Sequence, residues 1–255
     1  MENNKIKEMI PKNKKEILKI GIVGILTGLL SGLFASGGGL LLVPAFVYIF
    51  KTTEKEARAM SVFCILPMVL ASLFFYNKAQ YIDWKLGILC GIGGIIGGTV
   101  GATLMKKVKD KYLILIFVAF LIYAAISIIR MWKMLEVLTG IISGIVSGMG
   151  MGGGTILITI LVCFMGIEQK TAQASNLIFF IPTSIVATIV NIKNKEIKWK
   201  LAVPIAILGV IGAFIGSFIA TKIDTSILRK LFAVFLIIIA ILEMYSWYNK
   251  YIKKT

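Results

Sequence analysis

Thr27 to Pro44 read TGLLSGLFASGGGLLLVP, and Ser143 to Ile158 read SGIVSGMGMGGGTILI. Each stretch is an apolar run interrupted by three consecutive glycines, Gly37-Gly38-Gly39 in the first and Gly152-Gly153-Gly154 in the second. A helix broken inside a bilayer is tolerated only where protein or a watery cavity satisfies the freed backbone groups. The breaks therefore decide the fold and mark the first candidate site.

The surrounding composition fits a bilayer. Hydrophobic residues make up 58% of the 255, charged residues 16%, and the mean hydropathy is +0.91. A soluble domain is nearer half apolar and a quarter charged, so the excess faces lipid. Long Leu/Ile/Val runs, many glycines and few prolines indicate an all-α polytopic membrane protein; the alternation of a membrane β-barrel is absent. The net charge of +16 does not indicate nucleic acid, because Lys and Arg lie in short links between apolar runs, where they set topology and meet anionic lipid headgroups. Residues 1–19 are rich in Lys and lack a small-residue cleavage site after the first apolar run, so a cytoplasmic basic tail is expected there. A second basic tail is expected over 249–255.

The apolar segments are 20–36 and 40–50 around the first triplet, then 59–76, 86–105 and 112–129. After a charged link come 137–151 and 155–167 around the second triplet, then 171–192, 201–220 and 231–248. The order repeats, and so do residues. A shift of 115 carries Gly37 to Gly152, Ala57 to Ala172, Pro67 to Pro182, Trp84 to Trp199, Gly94 to Gly209 and Gly101 to Gly216. Upstream of the triplets the shift is 116, carrying Gly24, Gly28 and Gly32 to Gly140, Gly144 and Gly148. The chain is read as one membrane domain of two fused repeats, 20–131 and 132–248. Matching broken helices in an internal repeat are a pointer to secondary transporters, whose sites lie near the midplane between the halves.

The runs beside the triplets are too short for a crossing of about 20 residues. Half-helices forming a re-entrant hairpin fit better, and charge supports them. With hairpins, 20 of the basic residues fall on one side and 8 on the other; with single broken crossings the split is 17 to 11. The positive-inside rule favours the first arrangement and places both termini in the cytoplasm of a cell-membrane protein. Each repeat then has three full crossings plus a hairpin, and the second repeat is inverted.

Glycines four apart share a helix face and let another helix approach, so Gly24, Gly28, Gly32 and Gly140, Gly144, Gly148 are read as packing residues, as are Gly94, Gly97, Gly101 and Gly209, Gly212, Gly216. The triplets need backbone freedom. A half-helix starting after each would aim free N–H groups and a partial positive charge at the break, an arrangement suited to an anion. The candidate binding residues are Ser36, Gly37, Gly38, Gly39, Gly152, Gly153, Gly154 and Thr155, with Ser61 and Asn176 adding polar groups at equivalent positions of the third segments. Pro67 and Pro182 each remove a helical hydrogen bond.

Other chemistry finds little support. Gly148, Gly150 and Gly153 match a dinucleotide fingerprint but follow a helix, where a strand is required. Histidine is absent, Cys64, Cys90 and Cys163 have no paired spacing, and no metal or cofactor is expected. Nucleophile constellations and nucleotide loops are also missing, so no enzyme is expected. The alternative to transport is a membrane assembly or accessory factor, for which Met149 and Met151 beside the second triplet are the one hint.

The pattern at Gly32 to Pro44, its second copy at Gly148 to Thr159, and the apolar glycine run ending in Lys106-Lys107 resemble the TauE/SafE family of sulfite and organosulfonate exporters. The resemblance covers residues 20–248. It implies an α-helical carrier for sulfite or related sulfur-containing anions.

Overall fold

The computed structural model describes residues 14–36, 38–104, 136–148 and 152–251, and every regular element among them is helical. Gly37, the crossing expected at 112–129, Met149, Met151 and much of both tails lie outside the described residues. The elements are α1 (Lys14–Phe34), α2 (Gly39–Pro44, continued by a π-helical turn Ala45–Ile49), α3 (Glu54–Lys78), α4 (Trp84–Leu104), α5 (Glu136–Gly148), α6 (Gly153–Cys163), α7 (Gln169–Lys193), α8 (Trp199–Lys222) and α9 (Thr225–Tyr251).

Six of these, α1, α3, α4, α7, α8 and α9, are long and apolar enough to cross a membrane, whereas Gly39–Ile49 and Gly153–Cys163 are not. The short pair are the half-helices that follow the glycine triplets. Two of the longer helices, α3 and α4, begin before their apolar runs at side-chain caps. Thr53 accepts from Glu56 N at 3.4 Å while Glu56 accepts from Thr53 N at 3.0 Å, a capping box that starts α3 five residues before its apolar segment. Asp83 caps α4 through Leu86 N at 3.0 Å. Both α3 and α7 run through their prolines, Pro67 and Pro182, without ending.

Helix directions follow from which residues meet. α1 runs parallel to α8: Gly24 lies against Ile205 and Leu208, Gly28 on Gly209, and Gly32 on Ala213 and Ser217. α8 runs parallel to α3, since Cys64 Sγ donates to the Ala202 carbonyl at 3.3 Å and Phe75 packs on Phe214 and Phe218. α1 and α3 therefore point the same way, and the chain between them must return through α2. The second repeat matches: α5 runs with α4 (Gly140 on Cys90, Gly148 on Gly98), and α4 runs with α7 (Gly87 on Ile178, Gly98 on Thr183). α6 is thus the second return.

α3 and α7 are antiparallel. Tyr76 near the end of α3 bonds Gln173 near the start of α7, and Val62 packs with Ala187. These pairs keep a constant residue sum, and that register sets the equivalent prolines Pro67 and Pro182 opposite each other. The repeats are therefore inverted, related by a pseudo-two-fold axis through the centre of the α3/α7 pair. They are also interlocked, because the first helix of each packs on the fourth helix of the other.

The links sort as the hairpin arrangement requires. Lys198 Nζ pairs with Glu56 at 2.7 Å, joining the starts of α8 and α3. At the opposite end, Lys170 Nζ donates to the Tyr81 hydroxyl and to the Thr221 carbonyl, and Thr225 Oγ1 donates to Glu168. Single broken crossings would put Glu56 and Lys198 on opposite sides of the membrane. The outer faces of α4, α8 and α9 expose isoleucines and leucines such as Ile92, Ile211 and Ile237, the surface expected against acyl chains.

Candidate functional site

Each break is made by residues in the left-handed backbone region. Ala35 has φ 49° and Gly38 φ 68°; Gly152, in the second break, has φ 76°. Gly38 and Gly152 are the N-caps of α2 and α6. The Gly38 carbonyl accepts from Leu41 N and Leu42 N, and the Gly152 carbonyl from Thr155 N, so each half-helix closes its first turn on the glycine. The N–H groups that precede these bonds, those of Gly39 and Leu40 in α2 and of Gly153 and Gly154 in α6, have no acceptor inside their own helix. No side chain caps either start.

The two breaks meet inside the bundle. Asn176 on α7, fully buried, donates from Nδ2 to the Ala35 carbonyl at 2.6 Å across 141 residues of sequence. The same Nδ2 stands 2.6 Å from where a Cβ on Gly154 would sit, so Asn176 lies against both breaks. Leu40, in the first turn of α2, covers the Gly152 backbone, and a Cβ there would run into it. Phe34 stacks on Phe235 of α9 with centroids 4.6 Å apart, closing the first break from the lipid side.

Several buried polar atoms around this junction have no hydrogen-bond partner. They are Ser36 Oγ, Ser31 Oγ, Ser143 Oγ and Asn176 Oδ1. Ser31 lies beside Gly38, its Cβ 3.1 Å from where a Cβ on that glycine would sit. Ser31 and Ser143 were not among the expected site residues. A signal existed, since the shift of 116 carries Ser31 to Ser147 and Thr27 to Ser143, keeping small hydroxyls on the glycine face of both first helices.

The other expected residues divide. Thr155 Oγ1 donates to the Gly152 carbonyl at 2.8 Å and Ser61 Oγ to the Arg58 carbonyl at 2.8 Å, so both hydroxyl protons are held by their own helices. Gly39 packs against Ile65, and Gly37 lies outside the described residues. Gly153 and Gly154 have packing roles that the sequence reading withheld from the triplets. A Cβ on Gly153 would overlap Ser143 and Ser147 of α5, and one on Gly154 would overlap the Phe180 ring.

An apolar groove of about 270 Å³ lies between α4 and α7, lined by Ile88, Gly91, Ile92, Ile95, Ile178, Ile181 and Pro182. It carries no charged or hydroxyl side chain and does not include the breaks.

A family model described as "Sulfite exporter TauE/SafE" matches residues 3–128 and 136–254, two tandem segments that follow the repeats. A protein named "Probable membrane transporter protein" from Xylella fastidiosa (strain 9a5c) is 31% identical over 116 residues, 46% of this chain and 44% of the relative. The chain thus matches under half the length of that relative. A protein of the same kind of name from Methanocaldococcus jannaschii is 26% identical over 236 residues, 82% of this chain and 86% of the relative. No solved structure matches the chain.

Proposed function

From the membership of this chain in the TauE/SafE sulfite exporter family, which its matched length establishes, we propose that it is a secondary transporter exporting a small oxyanion, sulfite or an organosulfonate. The observation that carries the reading is the junction itself: two half-helix starts, from inverted repeats, converge on Asn176 amid buried hydroxyls that lack partners. First-turn N–H groups and the Ser36 hydroxyl supply donors to an oxyanion, in the way anions bind helix starts elsewhere. Gly37, Gly38, Gly39, Gly152, Gly153 and Gly154 are the glycines of the proposed site, and Ser61, Thr155 and Asn176 its further polar residues.

Transport follows from the inverted symmetry, because exchanging the conformations of the two repeats moves access from one face to the other. Two ends of the α3/α7 pair already differ. At one, Tyr76 donates to Gln173 Oε1 at 2.8 Å; at the other, the side chain of Asn191, the equivalent of Tyr76, is fully buried and makes no hydrogen bond. The basic links 51–58 and 193–200 and both termini are assigned to the cytoplasm of the cell membrane by their charge.

Reconstituted into liposomes, the protein is expected to release loaded radiolabelled sulfite. Ser36→Ala removes only an unpartnered hydroxyl and is expected to cut the flux several-fold with unchanged thermal stability. A well-folded wild type that moves neither sulfite nor an alkanesulfonate would sink the proposal.

A further inference from the structure

The N-terminal end of α7 carries Gln169, Lys170 and Gln173, which are 3%, 5% and 0% exposed. At this spacing they share one face of the helix. Lys170 Nζ donates to the Tyr81 hydroxyl at 3.1 Å and to the Thr221 carbonyl at 3.3 Å, and stands 4.8 Å from the centre of the Tyr81 ring. All three are neutral groups, and among the described residues no carboxylate pairs with this ammonium. The nearest in sequence, Glu168, is exposed and accepts from Thr225. Gln169 Nε2 and Gln173 Nε2 are buried and donate to nothing.

The other repeat shows what is missing. The shift of 115 carries Glu54, Lys55 and Arg58 onto Gln169, Lys170 and Gln173. In the first repeat the buried cation has its own counter-charge, Arg58 pairing with Glu54 at 3.3 Å, and Lys55 is exposed. In the second repeat both members of that pair have become amides, while the lysine has turned inward. A buried cation without an acid is costly unless something else supplies the charge. The N-terminus of α7 adds partial positive charge at the same place. Asn176 follows Gln173 on this face, about 10 Å along the axis from Gln169, so the cluster leads to the glycine breaks.

We propose that Gln169, Lys170 and Gln173 form a second oxyanion-binding station at the mouth of α7, with the Lys170 ammonium as counter-charge and the two amides as donors. The station rests on the transport reading for its purpose, as the place where the anion pauses between the solvent and the breaks.

Equilibrium binding of radiolabelled sulfite to the purified full chain tests it. Lys170→Gln is expected to weaken binding at one of two sites about tenfold, the loss of one charge-assisted contact, and Lys170→Arg to restore most of it. Gln169→Leu removes a donor that satisfies nothing within the protein, so a merely structural face predicts no loss, whereas the station predicts weaker sulfite binding at unchanged or higher thermal stability. Isotherms of Lys170→Gln and Gln169→Leu that superimpose on the wild type overturn the station, and so does a wild type that binds no sulfite. If those isotherms superimpose while Asn176→Ala loses binding, the break site stands without the station. If Lys170→Gln loses a site and Asn176→Ala loses none, the station stands and the break site falls.

Discussion

Gly152 and Gly166 have similar positive φ, 76° and 69°, but different surroundings. A Cβ on Gly152 would strike Leu40, while one on Gly166 would meet nothing within 4 Å. Gly166→Ala should therefore cost only the left-handed strain, about 1 kcal/mol, and leave the proposed sulfite flux intact. Gly152→Ala adds a collision with the neighbouring half-helix and should cost at least twice as much, with flux reduced. Thermal unfolding in detergent and flux in liposomes separate the two; equal losses would show that the junction of the breaks is not tightly packed. At this scale the sequence was half legible. Glycine triplets announce backbone freedom, and the repeat shift singles out Asn176 by setting a polar residue opposite Ser61. Which hydroxyls are free was not legible: Thr155 and Ser61 turn back onto their own helices, a choice of rotamer that residue type does not reveal. The bond from Asn176 to Ala35 spans 141 residues and depends on the fold being complete.

Among the elements, the glycine seams were legible in spacing but not in partner. Period-four glycines on α1 and α5 predict close approach, yet nothing local says that α1 meets α8 while α5 meets α4. That exchange appears only when the contacts are paired: Gly28 with Gly209 and Gly144 with Gly94, Gly212 with Ile25 and Gly97 with Ile141, each pair carried to its counterpart by the repeat shifts. Lipid tails offer little hydrophobic drive between helices, so backbone proximity at these glycines is a principal source of cohesion. Gly28→Ala, whose Cβ would overlap the Gly209 backbone, should destabilise the protein by about 1–3 kcal/mol as an overpacked contact. Gly21→Ala on the same helix has no atom within 4 Å of its Cβ and should gain about 1 kcal/mol from helix propensity. A Gly28→Ala protein that melts with the wild type would break the seam assignment.

For the whole molecule, the hairpins decide which links share a side. Charge counting could weigh the alternatives from sequence, because Lys and Arg resist translocation, but it could not show the helices turning back. The contacts do: α1 and α3 share a direction, as do α5 and α7, and the Lys198–Glu56 ion pair brings together two links that single broken crossings would separate by the membrane. Lys51 and Lys195 are exposed on that side, and Lys78 and Asp224 are exposed on the other. Starting from a protein with Cys64, Cys90 and Cys163 replaced, single cysteines at these four positions can be challenged in intact cells with a thiol reagent that cannot cross the membrane. Lys78→Cys and Asp224→Cys are expected to react, and Lys51→Cys and Lys195→Cys to react only after the cells are opened. Opposite behaviour of the 51 and 195 positions would rule out the hairpins, because the α2 return is what brings residue 51 back to the side from which α1 set out. Inverted labelling of all four would keep the fold and overturn only the cytoplasmic assignment.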